Sequence, residues 1–189
     1  GHWVSQSNAL GLAALPVSLE TGNLDALESF TGRLRRNLER ERISRWIPVE
    51  RYFSACLRDL RGDPWAVEDI RAAIHELIEC RFLMRIGSYL AVLTSTLLRQ
   101  GRIEEARETI ALAIGYQERQ GERWCRSELQ RVDASVLFHA GEPVRAEPLG
   151  LAGVLDVAVS DLEGAAALQL ELEDRTVAQD AVRNRDQNG

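Results

Sequence analysis

The sequence predicts an all-α chain of antiparallel helix pairs that repeat about every forty residues and lie side by side. Three observations predict it. Gly22, Gly62, Gly101 and Gly141 recur at spacings of 40, 39 and 40 residues, each closing one apolar-periodic stretch and opening the next. Between these glycines the apolar residues recur with the 3.6-residue period of a helix that buries one face. Strand-type alternation is nearly absent: "LQLELE" at 168–173 alternates, but it sits in an alanine-rich run that favours helix. Self-similarity at such a period is the mark of a repeat architecture.

The elements follow in order. Helices near 3–20 and 23–42 are parted by "ETGNLDAL" around Gly22, and helices near 46–61 and 64–80 by "LRGDPWAV" around Gly62. A glycine suits the residue after a helix cap because the chain commonly turns there through a left-handed conformation. Asp63-Pro64 then favours a new start, with proline early in the first turn. The next pair, near 84–100 and 103–120, has the clearest pattern. Leu90, Leu93, Leu97 and Leu98 share one face before Gly101, and Ile103, Ala106, Ile110 and Ala113 share one after it. A helix near 122–140 leads to Gly141, and Glu142-Pro143 opens another near 143–160. A helix near 162–182 is expected to cap the array, and the polar tail 183–189 to fray. Turns of two to four residues force neighbouring helices to lie antiparallel. Residues 1–189 are thus expected to form a single helical-repeat domain.

Composition removes several function classes. All 23 basic residues are arginine, and lysine is absent. Phosphate-binding loops need a lysine, and Schiff-base or lysine-activated serine chemistry needs an ammonium that can lose its proton, which guanidinium does not do. The three cysteines, Cys56, Cys80 and Cys125, are isolated, and no histidine lies near a second ligand in sequence. Neither a disulfide framework nor a metal centre is expected; the cysteines read as small core residues under reducing conditions. Net charge is −6, and residues 142–189, with 10 acids and 4 arginines, account for it. The densest basic stretch, "GRLRRNLERERISRW", interleaves Glu39 and Glu41 among its arginines, as a solvated helix face does. A nucleic-acid partner is therefore not expected. No apolar run approaches the ~20 residues of a membrane span, and no signal-peptide pattern opens the chain. A cytoplasmic location is the expectation, and the arginine-only basic set suggests a high-GC genome.

In "LLRQGRIEEARETIALAI", residues 97–114, adjacent Glu104 and Glu105 invite comparison with a catalytic carboxylate pair. Adjacent residues on a helix point about 100° apart and do not converge on one substrate atom. Acids in a first turn are instead favourable against the positive end of the helix dipole. They read as scaffold. No catalytic, cofactor-binding or metal-binding residue is assigned, and the chain is expected not to be an enzyme. His75, in "AAIHELIEC", reads as a structural histidine.

The stretch "GRIEEARETIALAI" resembles the tetratricopeptide repeat (TPR). Gly101, Ile103, Ala106, Ile110 and Ala113 fall at that motif's turn, packing and core positions, with Leu90, Leu93, Leu97 and Thr94 supplied by the preceding helix. The other units depart from it: Val67 replaces the packing alanine, and Gly150 and Gly153 stand where a bulky and a small residue are usual. The beat also exceeds the ~34 residues of the standard motif, so a HEAT-like array is the alternative. A second resemblance spans residues 1 to about 145. "NALGLAALPVSLETGNLDALESF", "LRDLRGDPWAVEDIRAAIHEL" and "GERWCRSELQRVDASVLFHAGEP" are similar to the C-terminal repeat region of large bacterial signalling ATPases. These include winged-helix transcription regulators and class III adenylate cyclases. Glu122 to Cys125, then Ser127, Glu128, Leu129 and Arg131, carry a pattern recurrent there.

The resemblance implies TPR-like pairs stacked in a right-handed superhelix, with a concave face lined by the first helix of each unit. The motif's spacing places there Tyr52 and Cys56; Ser88, Ala91, Ser95 and Arg99; and Glu128, Arg131, Ser135 and His139. Such a groove suits a peptide carboxylate or another acidic group, because guanidinium pairs carboxylates bidentately. The groove residues also read as merely solvated. The resemblance further implies a regulatory arm that answers to a protein or peptide partner, or to neighbouring domains of a longer parent. A small-molecule effector is the alternative, with Trp46, Trp65, Trp124, Tyr52 and Tyr89 as an aromatic wall. Packing between helices is the plainer reading of those rings. Self-association into a dimer is a third, should 162–182 leave the end uncapped.

Overall fold

The computed structural model describes residues 3–41, 44–121 and 124–142. The expectations for residues 143–189, including the 162–182 cap and the tail, lie outside the described residues. The described helices all lie within one compact unit, Gly1–Ala140.

Among the described residues every regular element is helical. In chain order these are α1 (Trp3–Ala9), a π-helical stretch (Leu10–Ala14), α2 (Leu15–Glu20), α3 (Leu24–Glu41), a 3₁₀ turn (Ser44–Trp46), α4 (Ile47–Leu60), α5 (Ala66–Glu79), α6 (Ile86–Arg99), α7 (Ile103–Gln120) and α8 (Arg126–His139). The first expected helix is thus a helix with a wide turn in it. Ala9, Ala14 and Leu15 all keep right-handed helical dihedrals, so the chain runs on without a break. The wide turn ends two residues before Pro16, whose ring would crowd the carbonyl one turn earlier in a regular α-helix.

The turn glycines do what the forty-residue beat requires. Gly101 takes φ +70°, its N–H donates to the Leu98 carbonyl at 2.9 Å, and the Arg102 N–H donates to Leu97 at 2.9 Å. The same two bonds close the turns at Gly22 and Gly62. Each satisfies carbonyls that a helix end leaves open. The turn after α5 uses the same geometry without glycine: Arg81 takes φ 56°, and Phe82 donates to Leu77 at 2.9 Å.

Consecutive helices pack on one another, α4 on α5 and α6 on α7 most extensively, and α6 also reaches α8. Connections of a few residues make these neighbours antiparallel. The core follows the periodicity: Leu27 and Leu34 of α3, Val49 and Phe53 of α4, Ile70 and Leu77 of α5, and Leu90, Leu93 and Leu97 of α6 are all buried. Ala106, Ile110 and Ala113 of α7 close against α6, the small alanines allowing a near approach. One tie departs from a strictly neighbour-to-neighbour stack. Arg85, before α6, reaches back 65 residues to Glu20 at the end of α2, at 3.1 Å.

Candidate functional site

The residues expected on an open concave face are distributed along α4, α6 and α8 and have different fates. Tyr52 and Cys56 correct the expectation: they are 0% and 1% exposed. Tyr52 packs on Tyr89 of α6, ring centroids 4.3 Å apart, and edge-on to Phe53 at 5.0 Å. The Tyr52 ring and the small Cys56 side chain are both covered where α6 lies alongside, and they join the core. Burial pushes the Cys56 thiol up to about 12 and the Tyr89 hydroxyl up to about 12, so both stay protonated at neutral pH. Ala91 is buried too, while Ser88 and Ser95 are half-buried. Ser95 donates its hydroxyl to the Ala91 carbonyl at 3.1 Å.

The two groove arginines are already engaged. Arg99 pairs with Asp59 of α4 and lies 3.1 Å from the Thr96 hydroxyl, which itself donates to Asp59 at 3.0 Å. Arg131 forks onto Glu128 one turn earlier, with bonds of 2.8 and 2.7 Å. A guanidinium that spends its fork on a neighbouring carboxylate has less to offer an incoming one. Ser135 donates to the Arg131 carbonyl at 3.0 Å, and Nδ1 of His139 lies 2.8 Å from the Ser135 carbonyl. These side chains are turned onto their own helix.

The opposite helices hold a denser charge array. Glu105 of α7 accepts from Arg102 at 2.6 Å through both oxygens and from Arg71 of α5 at 2.6 Å, and Arg102 also reaches Glu68 at 2.8 Å. Arg102 first, then Arg71, hold the Glu105 carboxyl down at about 2. A carboxylate so stabilised is a poor general acid or base near neutral pH, which needs a value close to the working pH. Glu104 points away, 3.7 Å from Arg107. Among the described residues, no group of three histidine, cysteine or acidic side chains is placed to hold a metal ion. No helix among them is long and apolar enough to cross a membrane.

Beside this array, α5, α6 and α7 enclose an open pocket of about 250 Å³. Its floor is Ile74, Ile78, Leu90 and Leu93, with Leu112 at the edge. Arg71, His75, Glu108 and Thr109 form the polar rim. Sequence reasoning missed this place. The available signal was Leu112, a leucine off the Ile103–Ala106–Ile110–Ala113 stripe and left 44% exposed on the solvent side of α7. The aromatic residues divide likewise. Trp46, Tyr52 and Tyr89 are core, whereas Trp124 is half-exposed and Trp65 is 78% exposed. Cys80, expected in the core, is exposed at the end of α5, where the chain turns into Arg81.

Comparison of the chain with known protein families, with curated proteins and with solved structures finds no match in any of the three.

Proposed function

We propose that the chain is a non-catalytic helical-repeat module that binds a protein or peptide partner, serving as the regulatory arm of a bacterial transcription or signalling regulator. One observation carries the repeat reading. Glu28, six residues after Gly22, forks onto Arg61 beside the next turn glycine, at 3.1 and 2.8 Å. Glu68, six residues after Gly62, takes Arg102 beside Gly101 at 2.8 Å. A similar tie thus recurs one beat later, from the sixth residue after one turn glycine to an arginine flanking the next, Arg61 before Gly62 and Arg102 after Gly101, which supports stacking of like units. Arrays of this kind act by displaying an extended surface, and the open apolar pocket on α5, α6 and α7 fits that use. The resemblance to the repeat region of bacterial signalling ATPases supplies the regulatory part of the reading, together with the TPR-like, right-handed superhelical arrangement.

A specific observation favours the small-molecule sensor as second reading. The hydroxyl of Tyr89 and Nε of Arg85 are buried without a hydrogen-bond partner among the described residues. Buried polar groups in this state are uncommon and often mark a site. Affinity capture from a lysate of the source organism, followed by native mass spectrometry, separates the two. A stoichiometric protein on the chain supports the interaction module; a retained small molecule with no protein replaces it with the sensor.

A further inference from the structure

Four features of the α5–α7 face converge on one kind of occupant. The pocket's volume of about 250 Å³ is below the ~300–1,000 Å³ usual for small-molecule sites. It is open to solvent rather than closed around a ligand, so it suits one large side chain delivered from outside. Its floor of leucine and isoleucine has no polar atom to orient a small molecule. Leu112 extends that apolar floor out to the surface, at 44% exposed.

Charge adds to these four. Glu68 and Glu105 are neutralised by Arg71 and Arg102. That leaves Glu108 on the rim, which makes no hydrogen bond or ion pair with any described residue. Glu79 stands beside rim residue His75, Nδ1 to carboxylate 3.6 Å. The pocket's surround is therefore anionic where it meets solvent. An apolar slot beside unneutralised carboxylates complements an amphipathic helix bearing basic residues next to a bulky apolar anchor, and it repels an acidic one.

We propose that the pocket between α5, α6 and α7 receives a leucine-sized or larger apolar anchor from an amphipathic helix of a protein partner, whose flanking Lys or Arg residues meet Glu108 and Glu79. This deepens the interaction-module reading and rests on it, but it moves the site from the expected α4–α6–α8 face to the back of the array. Anchor and pocket would supply most of the affinity, and the rim would set the sign of the partner.

The probe is a pair of synthetic amphipathic helical peptides with the same leucine face, one flanked by Lys and its twin by Glu. Binding is read by fluorescence anisotropy near physiological salt and located by amide shift changes in the chain. The Lys peptide is expected to bind, to shift residues of α5 and α7, and to lose about tenfold in affinity on Leu112→Ser. Glu108→Lys is expected to weaken binding of the Lys peptide and narrow the preference between the twins, Glu79 remaining. Both side chains are exposed, so both variants are expected to melt with the unaltered chain, and this is checked first. Equal binding of the twins, shifts confined to α4, α6 and α8, or affinities unmoved by both variants would overturn the proposal. A natural partner that the Leu112→Ser chain retains at full strength would also overturn it, while leaving the interaction-module reading in place.

Discussion

Gly11 sits in the π-helical turn with the Trp46 ring against it, so close that a Cβ there would lie 2.2 Å from Cζ3 and 2.6 Å from Cε3. Trp46 is itself pinned edge-on to Phe82, centroids 5.2 Å apart, and cannot retreat freely. Gly11→Ala gains roughly 1 kcal/mol of helix propensity but overpacks by more. A net loss of about 2 kcal/mol in urea unfolding is expected. Arg81 offers the opposite case. It holds a left-handed φ of 56° in a turn that elsewhere uses glycine. Relieving that conformation is worth about 1 kcal/mol, less the greater freedom glycine brings to the unfolded chain. Arg81→Gly should therefore raise stability by about 0.5 kcal/mol, read in the same unfolding experiment. The cysteines give a third check. Cys80 is exposed while Cys56 and Cys125 are buried, so a thiol reagent should label Cys80 rapidly in the folded chain and all three in denaturant. Rapid labelling of Cys56 would contradict the packing of α4 on α6.

At the scale of elements, a pH-dependent tie joins α5 to α7. Glu105 has its carboxyl lowered from 4.5 to about 2 by Arg102 and Arg71. A depressed carboxyl contributes stability that is present above the unfolded value and is lost as pH falls through the folded one. The tie should therefore hold above about pH 4.5 and fade between there and about pH 2. The side chain is 39% exposed, so solvent and salt screen the effect. Glu105→Gln should flatten the acid limb of melting temperature against pH over that window and leave the alkaline limb alone. An unchanged acid limb would mean the pair is too well solvated to matter.

The helix ends were legible in the sequence because glycine and proline act locally. Gly22, Gly62 and Gly101 fixed three turns from a single requirement on φ. The boundaries that shifted are those where side chains decide. α5 begins at Ala66 rather than at Pro64, because the Asp63 carboxylate accepts from the Trp65 N–H at 3.0 Å and holds a turn before the helix. α6 begins at Ile86 because Arg85 takes φ 64° to reach Glu20 and to stack 4.6 Å over Trp124. The first contact is local, an Asx turn two residues long, whereas the second is not written in local sequence.

For the whole molecule, the helical class and the buried stripes followed from periodicity alone, whereas the site did not. Motif spacing placed Tyr52 and Cys56 on the face of α4 that meets α6, but not how closely the two helices approach. It therefore could not tell a groove from a core. Glu128, one turn before Arg131, was legible as that guanidinium's partner, but Arg99 looked like a clamp because its partner Asp59 lies forty residues away. The pocket under Leu112 was hidden for the same reason, since its floor is shared by three helices and no single stretch reveals it.

The α5–α7 face is the proposed seat of a protein partner. The most direct test is capture from the source organism's lysate with the unaltered chain and with Leu112→Ser in parallel, each eluate weighed by native mass spectrometry. A stoichiometric protein complex is expected with the unaltered chain, depleted about tenfold with the variant. A small molecule retained equally by both chains, with no protein beside it, would contradict it.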